Sequence, residues 1–141
     1  MPVTKSDTMP LRAEQDIVLA RQTVRKVTQE VAFSLVDQTK MVTAASELAR
    51  NTVIHGGGGS LTWELVVDDG REGLRITFTD SGPGIEDLAL AMKEGWTSGK
   101  GLGMGLPGAK RLVNEFEIDS KPGAGTRVTV VRWKGLNSRN R

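Results

Sequence analysis

Cysteine is absent from the 141 residues, which removes disulfides, thiolate metal sites and cysteine nucleophiles together. That absence suits a reducing compartment. One histidine, His55, leaves no material for a multi-histidine site. Apolar runs are only a few residues long, so neither a membrane-spanning helix nor a signal sequence is expected, and the chain reads as cytoplasmic. Charge of one sign is also missing: 19 basic and 17 acidic side chains leave a net +2, too balanced to point to nucleic acid or to a membrane surface. The imbalance is local. Residues 61–100 carry 4 basic and 8 acidic side chains, whereas 101–141 carry 8 basic and 3 acidic.

Glycine, by contrast, is plentiful. Seventeen glycines exceed the roughly 7% of an average protein, and they cluster at 56–59, 82–84, 99–108 and 123–125. The segments between these clusters have clear periodicity. Gly-rich connections between ordered elements let backbone N–H groups approach a ligand, so the distribution points to a site. The length predicts one domain with a core of its own.

Residues 1–12 lack periodicity and read as a loose terminus or an edge strand. Ile17, Ala20, Val24, Val27 and Val31 recur at three- and four-residue spacing, which predicts a helix over 14–32. A second helix is predicted over 37–54, ended by the glycines at 56–59. Leu61, Trp63, Leu65 and Val67 alternate with polar residues, as do Leu74, Ile76 and Phe78, and Asp68-Asp69-Gly70 joins them as a hairpin. Residues 81–105 read as a loop holding a short helix near 88–92. A third helix is predicted over 106–116, then strands over 117–120 and 127–133 around Lys121-Pro122-Gly123. Strands in antiparallel pairs with helices on one face make an α+β two-layer sandwich, its sheet mixed but mainly antiparallel.

Four features could carry chemistry. Glu47 and Asn51 lie four apart, one turn apart on one helical face. A carboxylate can take a proton and an amide oxygen can join a Mg²⁺ shell, although taken singly the pair also fits a solvated face. Asp80, where the hairpin ends, can accept from an exocyclic amine, with Gly82 and Gly84 leaving room for a planar ring; an ordinary Asp/Gly/Pro turn reads equally from those residues. Gly99-Lys-Gly-Leu-Gly-Met-Gly-Leu-Pro-Gly108 opens the third helix and suits phosphate. No strand precedes it as a Rossmann site needs, and no Walker A pattern occurs. Gly123-Ala-Gly-Thr126 alone is a turn.

In this order and spacing the four features resemble the N-box, G1, G2 and final G-T motifs of the GHKL ATP-binding superfamily of gyrase, Hsp90, histidine kinases and MutL, over roughly residues 35–131. Ser46-Glu-Leu-Ala-Arg-Asn51, Gly101-Leu-Gly-Met-Gly-Leu-Pro-Gly-Ala-Lys-Arg-Leu-Val-Asn-Glu-Phe116 and Asp37-Gln38-Thr39 are similar to the RsbT branch, small serine/threonine protein kinases of stressosomes and partner-switching modules. The resemblance implies the Bergerat sandwich and ATP with Mg²⁺ as cofactors. It implies Asn51 as the Mg²⁺ ligand, Asp80 on the adenine amino group with Gly82 and Gly84 beside the ring, and Gly101, Gly103 and Gly105 on phosphate. Thr126 closes the adenine pocket in that scheme, and Glu47 is the general base. Lys100 is placed either near the β- or γ-phosphate or in solvent.

The implied organisation is a kinase domain over 13–134, an ATP lid at about 85–103 and a basic tail at 135–141. The implied partners are STAS-domain proteins of the RsbS/RsbR kind as substrates and scaffold, and an RsbU-like phosphatase or other output protein downstream. The sister anti-sigma branch shares the same boxes, and a nucleotide-gated binding module without turnover is a third reading. His55 is read as a capping or packing residue and Trp63 and Trp133 as sheet packing. Trp96 is read as a residue of the lid, and Arg132, Lys134, Arg139 and Arg141 as a solvated basic terminus.

Overall fold

A computed structural model of the chain describes residues 2–93 and 105–135. The elements run β1 (Val3–Leu11), α1 (Glu14–Glu30), α2 (Leu35–Arg50), a π-helical turn (Asn51–His55), β2 (Gly59–Asp68), β3 (Arg71–Asp80), α3 (Leu88–Ala91), α4 (Gly105–Arg111), β4 (Glu115–Ser120) and β5 (Thr126–Trp133). The five strands form one sheet in the order β1-β2-β3-β5-β4, and all four ladders are antiparallel. The sheet is therefore the purely antiparallel form of the two-layer sandwich expected. Residues 3–11 form its edge strand, the ordered one of the two alternatives open for the N-terminus.

Side-chain alternation sets the layers. Leu61 and Trp63 of β2, Leu74, Ile76 and Phe78 of β3, and Val128 and Val130 of β5 turn inward onto Ile17, Ala20, Val24, Met41, Ala45 and Leu48 of the helices. Val66, Val131 and Trp133 make a smaller cluster on the opposite face, where the Arg71 guanidinium sits 4.2 Å from the Trp133 ring centroid. Both tryptophans thus pack against the sheet.

The helical hairpin is built from local caps. Asp16 Oδ2 accepts from the N–H groups of Arg12 and Ala13, at 2.7 and 3.2 Å, at the start of α1. Ser34 Oγ accepts the Asp37 N–H at 3.1 Å at the start of α2. The buried Thr28 hydroxyl donates within its own helix, to the carbonyls of Val24 and Arg25. Asp69 and Gly70, both at positive φ (54° and 80°), close β2 onto β3 as a two-residue turn of the hairpin expected at Asp68-Asp69-Gly70, with Asp68 paired in the strand.

Two boundaries and one residue depart from expectation. The third helix stops at Arg111 rather than Phe116, because Asn114 N–H donates to Val131 O at 2.9 Å and its side-chain oxygen accepts the Trp133 N–H at 2.6 Å. Those bonds capture residues 115–120 as a strand. The α-helical part of the second helix ends at Arg50 and continues as a wider π turn. Arg132, read as part of a solvated terminus, is buried: it points to the helix side and pairs with Asp37, while Lys134 stays exposed near Glu72. Arg139 and Arg141 lie outside the described residues. Among the described residues no helix is long and apolar enough to cross a membrane.

Candidate functional site

The sheet order brings distant segments together. After β3 the chain passes through α3, α4 and the edge strand β4, then returns as β5 directly beside β3. Asp80, the last residue of β3, is the register partner of Thr126, the first of β5. Cross-strand partners put their side chains on one face about 5 Å apart.

Above that pair a cleft of about 70 Å³ opens between the sheet and the end of α2. Its apolar walls include Leu48, Phe78, Ile85, Leu106 and Val128, and its polar groups are Asn51, Thr52, His55, Asp80 and Thr126. An apolar slot with a few convergent polar groups is the usual form of a small-molecule site.

The π turn contributes three of these polar residues. Its widened ring closes through the Gly56 N–H donating to Asn51 O at 2.9 Å, and such turns often mark functional positions. Thr52 gives its proton back to Leu48 O at 3.0 Å. The Asn51 side-chain nitrogen is buried and has no hydrogen-bond partner. Leaving a buried polar group unpaired costs about 1–3 kcal/mol, so this amide fits a site completed by a ligand. Rotating the amide by half a turn would present oxygen instead.

That oxygen is a hard donor suited to Mg²⁺, which is usually held by few protein ligands plus phosphate oxygens. The described residues contain no cluster of three His, Asp or Glu side chains that could hold a metal ion without such help. Asn51 therefore suits a Mg²⁺ ion that arrives with most of its own oxygen ligands.

Asp80 is held from several sides. Its Oδ1 accepts the Gly82 N–H at 2.9 Å. Gly56 lies against its carboxyl group, so that a Cβ there would collide with it, and a Cβ on Gly82 would in turn strike the Gly56 backbone. The glycine requirement at 82 is thus close packing of backbone on backbone, and Gly82 lies outside the cleft lining. Gly84 does line it, at φ 76°, with its missing side chain directed at the Lys121 carbonyl.

Glu47 is half-buried one turn before Asn51, beside the cleft rather than in it. It borders two hollows: one of about 510 Å³ with Val18, Arg21, Arg25 and Thr43, another of about 220 Å³ with Gly108, Arg111 and Leu112. Gly105 opens the described part of α4 and is buried. Lys100, Gly101, Gly103 and Trp96 lie outside the described residues, as does most of the expected lid.

Two residues went unread as site residues in the sequence, one lining the cleft and one behind its Ile85 and Thr126 edge. His55, taken for a capping or packing residue, reaches the cleft because it stands one turn beyond Asn51. Ser120 continues the inward alternation of Phe116 and Ile118, where a hydroxyl replaces an apolar side chain at the strand's end. That break in the pattern was the available signal.

A family model described as histidine kinase-, DNA gyrase B-, and HSP90-like ATPase matches residues 36–135. The chain is 46% identical over 123 residues to serine/threonine-protein kinase RsbT of Bacillus subtilis (strain 168), spanning 87% of this chain and 92% of that protein. It is 29% identical over 133 residues to an anti-sigma F factor of Caldanaerobacter subterraneus subsp. tengcongensis, spanning 90% and 92%. Among solved structures, the RsbU and RsbW domains of Rv1364c from Mycobacterium tuberculosis give a TM-score of 0.66 at 23% identity, covering 95% of this chain and 34% of that one. That structural likeness speaks to the fold.

Proposed function

The chain belongs to the histidine kinase-, DNA gyrase B- and HSP90-like ATPase family, and from that premise we propose that it is a Mg-ATP-dependent serine/threonine protein kinase that acts as a partner switch. The carrying observation is the 46% identity to RsbT, which spans nearly the whole length of both chains. Identity to the anti-sigma F factors is lower, at 28–31%.

In this reading the adenine amino group donates to Asp80, and Thr126 completes the same edge. Apolar side chains of Leu48, Phe78, Ile85, Leu106 and Val128 exclude water from the two faces of the ring. Gly84 lines the cleft beside Asp80, while Gly82 leaves room for the Gly56 backbone behind it. Backbone N–H groups of Gly101, Gly103 and Gly105 meet the phosphates, with Lys100 near the terminal ones. Asn51 would offer its amide oxygen to Mg²⁺, which when bound would supply neutralisation of phosphate charge.

Glu47 orients the substrate hydroxyl and takes its proton. The hydroxyl oxygen bonds to the γ-phosphorus as the bond to the β–γ bridging oxygen breaks, leaving ADP and a phosphoprotein. The position of Glu47 beside the cleft suits a base that meets a protein substrate arriving from outside.

The substrates are STAS-domain proteins of the RsbS/RsbR kind. A new phosphate adds about −1.5 to −2 charges at their interface. It would meet the acidic stretch 61–100, with its 8 acidic against 4 basic side chains, and would weaken the hold on the phosphorylated protein. Release frees the kinase for an RsbU-like phosphatase or another output protein. The kinase domain spans 13–134 with its lid at about 85–103, and it works in the cytoplasm where the nucleotide is supplied.

Intact-mass measurement of a STAS-domain protein from the same genome, incubated with this chain and Mg-ATP, tests the reading. One added phosphate is the expected result. No added phosphate, together with capture of a sigma factor, would favour the anti-sigma alternative.

A further inference from the structure

Three contacts converge on the Ser120 hydroxyl at the sheet side of the cleft. The Ile85 N–H donates to Ser120 Oγ at 2.9 Å, Thr126 Oγ1 stands 2.8 Å away, and Gly125 O stands 3.0 Å away. A serine hydroxyl has one proton and two lone pairs. The Gly125 carbonyl can only accept, so the Ser120 proton goes there. The two lone pairs then receive the Ile85 N–H and the Thr126 hydroxyl proton. With one acceptor for each proton, no other assignment satisfies all three contacts.

Thr126 has then spent its only proton on Ser120, and the lone pairs it keeps are acceptors. Its ladder partner Asp80 is a carboxylate, also an acceptor, and both residues line the cleft. The edge they form together therefore presents acceptors and no hydroxyl proton.

Building on the nucleotide reading above, we infer that Ser120 is a positioning residue that sets base specificity by making Thr126 an obligate acceptor. The cleft then takes a 6-aminopurine and rejects a 6-oxopurine. Asp80 alone discriminates poorly, because a 6-oxopurine carries a proton on N1 that a carboxylate can accept. The oxo group itself faces the lone pairs of Thr126 with no proton between them. Without the Ser120 oxygen, the Thr126 hydroxyl is released to turn its proton into the cleft and donate to that oxo group.

Calorimetric titration of the full chain with ATP and with inosine triphosphate, which differ at the 6-position, tests this directly. Wild type is expected to prefer ATP, and Ser120→Ala to shrink the ratio of the two affinities about tenfold, chiefly by gaining the inosine nucleotide. Because Ser120 acts through Thr126, adding Ser120→Ala to Thr126→Val should leave the ratio within about twofold. Ser120→Thr, which keeps the hydroxyl, should restore it. If Ser120→Ala does not fold, Ser120→Cys carries the same expectation, since a thiol is a weak donor and acceptor.

Equal weakening of both nucleotides in Ser120→Ala would show a merely structural role and overturn the inference. So would an unchanged ratio, with the nucleotide reading left standing because ATP is still bound. Failure of wild type to bind either nucleotide would remove both together.

Discussion

Asp80 and Thr126 are direct partners in the β3–β5 ladder, at the ends of two strands separated in sequence by two helices and an edge strand. That register is the reason a carboxylate and a hydroxyl share one edge of the cleft. Asp80→Asn keeps an oxygen for the Gly82 N–H but sets an amide N–H₂ in place of the second acceptor. ATP affinity is expected to fall at least about tenfold in calorimetry with the melting temperature little changed. Equal affinity would contradict the assignment of Asp80 to the base.

Gly56→Ala should damage the same site from behind. Its φ is ordinary, so the change brings little backbone strain, but the new methyl group collides with the Asp80 carboxyl group. Overpacking of this kind costs about 1–3 kcal/mol. Nucleotide affinity is expected to drop more steeply than stability, because the group displaced is the carboxylate proposed to meet the base. Titration and chemical denaturation of the same variant separate the two effects, and a variant with full affinity would contradict the packing.

The Asp37–Arg132 pair ties the start of α2 to the end of β5. Both side chains are buried, at 8% and 3% exposure, and Asp37 also accepts the Gly135 N–H at 3.3 Å. Arg132 gives a further proton to Leu112 O at 2.9 Å. Removing one partner of such a pair strands the other charge and costs about 3–5 kcal/mol. Asp37→Ala should therefore lower stability in urea titration by that order, and Asp37→Ala with Arg132→Met by less. A loss below about 1 kcal/mol for Asp37→Ala is what a surface pair would give, and would contradict the burial.

Much of this architecture was legible in the chain because period and punctuation agree there. The alternation from Leu61 to Phe78, broken by Asp69-Gly70, fixed both strands and their turn, and the three- and four-residue spacing in α1 fixed its buried face. Asn51, Asp80 and Thr126, singled out as a helix residue and two residues beside glycine clusters, all line the cleft. Arg132 was not: its charge suggested solvent, and only the strand register shows that it shares a face with Val128 and Val130. The end of α4 was hidden too. Leu112 and Val113 continue a helical spacing, and the bonds that stop it come from Val131 and Trp133, which are distant in sequence. Gly56 matters through its contact with the Asp80 carboxyl group, which no local pattern announces.

Asn51 allows a prediction about the ion. Asn51→Ala removes the amide oxygen and leaves the apolar walls of the cleft in place. The gain in ATP affinity on adding Mg²⁺ should shrink, while affinity measured in excess chelator should stay within about threefold of wild type. A Mg²⁺ dependence equal to wild type would take Asn51 out of the metal's shell.

The central claim is that Glu47 takes the proton from a protein hydroxyl while the neighbouring cleft holds ATP. The most direct measurement runs wild type and Glu47→Gln side by side against a STAS-domain protein from the same genome, reading phosphate by intact mass and ATP affinity by titration. Glu47 lies outside the cleft lining, so ATP affinity should be almost unchanged, while phosphate transfer falls by about 10²–10⁴-fold. Transfer by Glu47→Gln at the wild-type rate would contradict the account.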